Sequence, residues 1–144
     1  MIKNITNLGD AAIYCDFGEQ VNREINQKVI NFFKNLEKIK IKGITNISPS
    51  YNKLIISFDI SETNFLSLKD KLLNIIPEDF QSEESENIKI PICCDEEFTL
   101  DLNRLSSSFN ISKEIILKKF IEKKYNCYMT GFIAGMPFLG DIDK

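Results

Sequence analysis

The sequence predicts an α+β fold whose N-terminal half is a β-β-α-β-β-α two-layer sandwich. Three observations carry the prediction. Short apolar, β-branched runs bounded by turn residues come in pairs, at residues 2–5 with 11–17 and at 44–48 with 53–59. Each pair is followed by a stretch whose apolar residues recur every three or four positions. After the second such stretch the acidic segment FQSEESEN, without aliphatic residues, reads as a linker. An antiparallel sheet of the four strands with both helices on one face is the economical packing of that order.

Taken in turn, the first two strands are separated by the turn signal Gly9-Asp10. Between residues 20 and 40, Val21, Ile25, Val29, Phe32, Phe33, Leu36 and Ile39 form one face of an amphipathic helix. The opposite face, with Arg23, Glu24, Lys28, Lys34, Glu37 and Lys38, reads as solvated surface. The second pair of strands flanks a turn of Pro49, Ser50, Tyr51 and Asn52. Thr63 or Asn64 then caps a second helix striped with Phe65, Leu68, Leu72, Ile75 and Ile76 and ended by Pro77. A domain boundary near residue 85 divides the chain into 1–85 and 86–144. The second part is expected to hold a strand at 88–94 and a short helix capped near Thr99. A helix capped by Ser112 and a strand at 125–129 follow, the last running into a glycine-rich loop. So small a part is marginal alone, and exposed strand edges invite pairing.

Composition narrows the chemistry. Net charge is −3, with lysines interspersed among acids, so a basic stripe for nucleic acid is not expected. No apolar run reaches the roughly 18 residues of a membrane span, and the N-terminus has no apolar signal core, which predicts a cytoplasmic chain. Cys15, Cys93, Cys94 and Cys127 have no metal-site spacing and read as buried, inert thiols, with no metal or redox cofactor indicated. In a strand the vicinal pair would alternate faces, one thiol buried and one less so. With no histidine in the chain, triads of the Ser-His-Asp or Cys-His kind are excluded within it. Proton transfer would fall to carboxylates, Lys, Tyr or Cys.

The last residues, YMTGFIAGMPFLGDIDK, hold Gly131, Gly135, Gly140 and Pro137 in an apolar context. The spacing of Gly135 and Gly140 imitates a phosphate-binding P-loop, but Asp141 stands where lysine is required and would repel phosphate. Gly131 and Gly135 copy a membrane helix-dimer motif in a stretch too short to span. Two readings remain. The glycines permit positive φ in a packed loop plugged by Phe132, Phe138 and Leu139, or their exposed amides bind an anionic ligand or a partner's edge.

The run IPICC, then Glu96 to Phe98 and Asp101-Leu102, then YNCYMTGFIAGMPFLGDID resembles the family of the bacterial 5-oxoprolinase B subunit. That family includes the sporulation-kinase inhibitor KipI and was formerly labelled allophanate hydrolase subunit 1. Gly9-Asp10, Gly18, Asn22, Gly43-Ile44, Pro49-Ser50-Tyr51 and Asp59 extend the resemblance over the first half. It implies that residues 86–144 are the first part of a cyclophilin-like β-barrel, the C-terminal remainder being absent here. It implies a component of the B-subunit type, inactive alone, that acts with the A and C subunits to open 5-oxoproline to glutamate with ATP. The alternatives are a KipI-like inhibitor of a sensor histidine kinase and a truncated, inactive relic. The loop residues Tyr128, Gly131, Phe132, Gly135, Phe138 and Gly140 would then line the substrate or phosphate pocket through backbone N–H groups, with Asp141 or Asp143 adding a carboxylate; no catalytic nucleophile is assigned. The chain departs from the family pattern at Asp95-Glu96 and Thr99-Leu100, where glycines and a proline are usual. Ala134 and Met136 replace a proline and a phenylalanine, and Phe120 a histidine.

Overall fold

A computed structural model describes residues 2–78, 87–131 and 133–140. The first six elements follow the expected order: β1 (Asn4–Asn7), β2 (Ala12–Asp16), α1 (Arg23–Ile39), β3 (Ile44–Pro49), β4 (Lys53–Phe58) and α2 (Phe65–Leu73). The four strands form one antiparallel sheet in the order β1-β2-β4-β3. The alternation of β2 and β4 puts Ile13 opposite Ile56 and Cys15 opposite Leu54, so one face of the sheet is continuously apolar. Val29, Phe32 and Leu36 of α1 and Leu68 and Leu72 of α2 close over that face, and all of these residues are buried.

Helix ends are set by side chains. The carboxamide oxygen of Asn22 accepts the Ile25 amide at 2.9 Å, which starts α1 after Val21. That leaves Val21 outside the helix and exposed, as is Ile39 in its last turn; the expected stripe is shorter at both ends. Asn64 rather than Thr63 caps α2, through the Ser67 amide.

Tertiary contacts divide the chain into two units, Met1–Gln81 with Asn126–Lys144, and Ser82–Tyr125. The boundary expected near residue 85 falls in 79–86, outside the described residues. In the second unit a 3₁₀ turn (Glu96–Phe98) precedes α3 (Leu102–Phe109) and α4 (Lys113–Glu122). Neither helix buries a residue. Ser112 caps α4 as expected, but α3 begins after Asp101, without a side-chain cap bond. Thr99 instead ends the 3₁₀ turn, its hydroxyl donating to the Asp95 and Glu96 carbonyls. The strand expected at 88–94 is not formed: the segment carries β-type residues but enters no ladder, and ladder bonds are what make a strand. The cysteines correct accordingly. Only Cys15 is buried; Cys94 is half-buried, and Cys93 and Cys127 are exposed.

Candidate functional site

The glycine-rich stretch is a β-hairpin. β5 (Asn126–Thr130) and β6 (Pro137–Gly140) pair antiparallel, with Cys127 opposite Leu139 and Thr130 opposite Pro137. β6 was not expected, because its four residues open with a proline and close with a glycine, both loop signals. The turn is tied by hydrogen bonds from the Gly131 amide to the Met136 carbonyl at 3.1 Å and from the Met136 amide to the Ile133 carbonyl at 3.0 Å. The Ile133 amide donates to the Gly131 carbonyl at 2.7 Å. Three amides of the turn are therefore engaged internally and do not face a ligand.

Two glycines have distinct physical reasons. Gly135 has φ +81°, a conformation in which a side chain is strained. Gly140 lies flat against the Tyr128 ring, where a Cβ would come within 2.5 Å of Cε2. Tyr128 itself is buried at 3% exposure and packs on Tyr51, ring centroids 5.6 Å apart. Phe138, half-buried, meets the other side of the cluster edge-on, 6.2 Å from Tyr51. Gly131 sits at the turn's start, close to the Met129 methyl. At the turn, Ile133 and Met136 are exposed. Phe132, Asp141 and Asp143 lie outside the described residues.

The hairpin is anchored to the sandwich by a residue that the apolar stripe concealed. Asn26, buried on α1, shares its carboxamide N–H groups among three carbonyls: Ser50 at 3.2 Å, Tyr51 at 2.9 Å and Tyr128 at 3.1 Å. One side chain thus joins a helix, the β3–β4 turn and β5. The Ser50 hydroxyl adds a contact to the Met129 sulfur at 3.3 Å. The signal was a polar residue between Ile25 and Val29 on the helix's inward face. Beside it, the buried Asn52 amide donates to the Gly18 carbonyl at 2.7 Å and holds the loop that leads into α1. Lys53 binds the Asp16 carboxylate and the Gly18 carbonyl. Partial burial raises the Asp16 pKa, but the Lys53 hydrogen bond, the Gly18 amide and the charges of Lys53 and Lys3 outweigh it and hold the carboxyl below its ordinary value. Burial pushes the Cys15 thiol up to about 12, which keeps it protonated and unreactive.

These contacts join α1, the β3–β4 turn and β5. Two open depressions, about 510 Å³ beside Phe33, Ile41 and Ile47 and about 250 Å³ beside Cys94 and Lys113, are not lined by described residues of the hairpin. Among the described residues no cluster of three or more Cys, Asp or Glu is placed to hold a metal, and no helix is long and apolar enough to cross a membrane.

The family model of the carboxyltransferase domain, subdomains C and D, matches residues 3–144. The chain belongs to that family. This carboxyltransferase-domain chain is 29% identical over 153 aligned positions to a protein from Bacillus subtilis (strain 168) named as the B subunit of 5-oxoprolinase, covering 97% of the chain and 63% of that protein. A protein of the same name from Haemophilus influenzae is 25% identical over 145 positions, covering 98% of the chain and 65% of that protein. The family resemblance read in the motifs is the one these relatives carry. The chain spans somewhat less than two-thirds of their length. The crystal structure of TTHA0988 superposes with a TM-score of 0.75 at 25% identity, over 93% of this chain and 26% of that one. Mixed α/β architecture with antiparallel sheets is common ground between expectation and structure.

Proposed function

We propose that the chain is a component of a 5-oxoprolinase complex, of the B-subunit type. In that reading it works with the A and C subunits to open the lactam of 5-oxoproline to glutamate at the expense of ATP, and turns nothing over alone. The observation that carries the proposal is the likeness, over nearly the whole chain, to two proteins named as 5-oxoprolinase B subunits. Under the same reading residues 1–85 are the sandwich and 86–144 the first part of a cyclophilin-like barrel. The β5–β6 hairpin is then the part of that barrel held against the sandwich by Asn26.

The substrate pocket is assigned to the hairpin, with Tyr128, Gly131, Phe132, Gly135, Phe138 and Gly140 forming or shaping one wall. Chemically, Tyr128 and Gly140 act from below, as packing that sets the strand's path, while the turn is presented outward. The amides of Gly131, Ile133 and Met136 already donate to carbonyls of the turn, which argues against these three as a cradle for phosphate. In this reading ATP is assigned to the partner subunits, and no step of its hydrolysis is placed on this chain.

The test is reconstitution with the A and C subunits of a related complex, reading ATP hydrolysis with and without 5-oxoproline. Hydrolysis that depends on both 5-oxoproline and this chain is expected. A rate indifferent to the chain overturns the proposal. Suppression of a sensor histidine kinase's autophosphorylation by the chain, in that case, would move it to the inhibitor class.

A further inference from the structure

We propose that Cys93 and Cys94 are a peroxide-sensitive pair that closes into a reversible vicinal disulfide. Three observations meet at these residues. Both thiols are free, Cys93 exposed and Cys94 half-buried. The segment that carries them, 88–94, belongs to no ladder, so no strand geometry holds the side chains on opposite faces. Cys94 also borders an open depression of about 250 Å³ with Thr99, Asn103 and Lys113, roomy enough for a small oxidant.

The chemistry needs a peroxide and nothing else. The Cys93 thiolate attacks one peroxide oxygen, the O–O bond breaks, and the departing hydroxide takes up a proton to leave as water. Cys93 is then a sulfenic acid. The Cys94 thiolate attacks its sulfur, the S–O bond breaks, and a second water leaves with the disulfide formed. Two thiols have lost two electrons and the peroxide has gained them.

Reversibility follows from geometry. Adjacent Cα atoms across a trans peptide are about 3.8 Å apart, whereas unstrained disulfides span about 4.4–6.8 Å. A bond between neighbours is strained and easily reduced, the property of labile rather than structural disulfides. The same geometry makes the bond and a β-ladder through residues 93 and 94 mutually exclusive, since a strand sends the two side chains apart. Oxidation therefore holds this segment out of any sheet, its own or a partner's.

The experiment is peptide mass spectrometry of the intact chain after hydrogen peroxide, with remaining thiols alkylated under denaturing conditions. Cleavage after Lys89 and Arg104 isolates IPICCDEEFTLDLNR, which contains both thiols and neither of the others. The expected peptide is unalkylated, lighter by two hydrogen atoms, and doubly alkylated once a reductant is added first. In a Cys94→Ser chain the same treatment should instead leave Cys93 as a sulfenic acid that a dimedone probe captures. A doubly alkylated peptide after peroxide overturns the proposal, as does one cross-linked to the Cys127 peptide or to a second copy.

Discussion

Asn26 ties the hairpin to the sandwich through the Tyr128 carbonyl. Truncating it leaves the Ser50, Tyr51 and Tyr128 carbonyls to find other donors. Asn26→Ala is expected to lower stability by about 1–3 kcal/mol, read by urea denaturation; an unchanged midpoint would mean that water replaces it fully. Gly140→Ala drives a methyl into the Tyr128 ring, which is buried and has little room to retreat. Overpacking of this kind costs about 1–3 kcal/mol, and the thermal midpoint should fall accordingly. Asp16 sets a pH dependence. Its folded pKa lies below the unfolded value, so its pairing stabilises the fold above pH of about 4 and is lost as pH falls through the folded value. Lys53→Met should flatten this acid limb in denaturation curves taken between pH of about 5 and 3; a limb as steep as in the parent would assign the dependence to other carboxylates.

At the scale of elements, capping decides where helices begin. Asn22→Ala removes the acceptor for the Ile25 amide and should cost about 1 kcal/mol, measured as a lower midpoint of helical circular dichroism. No shift at all would assign the start of α1 to packing alone. The sandwich was legible in the sequence because each of its elements has its own period: Ile13, Cys15, Leu54 and Ile56 alternate, and Val29, Phe32 and Leu36 repeat at helical spacing. Segment 88–94 was misread for a physical reason. Ile88, Ile90 and Ile92 have strand character, but a strand exists only when another chain segment supplies the bonds, and spacing along one segment does not reveal that. β6 was hidden by the opposite effect, since pairing with β5 overrides the loop preference of Pro137 and Gly140. The glycines mark residues 131–140 as a loop in the sequence, where the described residues form a turn and β6. The hairpin's attachment through Asn26 was not legible, because a buried amide is recognised by three carbonyls distant in sequence.

For the whole molecule, the order of units along the chain matters as much as their structure. The chain leaves the first unit after Gln81 and re-enters it at Asn126. Residues between belong to the other unit, whose helices bury none of their side chains. A protease that cuts only within α4, at Lys118 or Lys119, would therefore sever the backbone without touching the Asn26, Tyr51 and Tyr128 contacts. The two fragments should co-elute in native size exclusion and separate in denaturant; a hairpin fragment that elutes alone would mean these contacts do not suffice. The sandwich is then a receptor for its own C-terminal strands, and the fold is open to complementation from two separately made pieces.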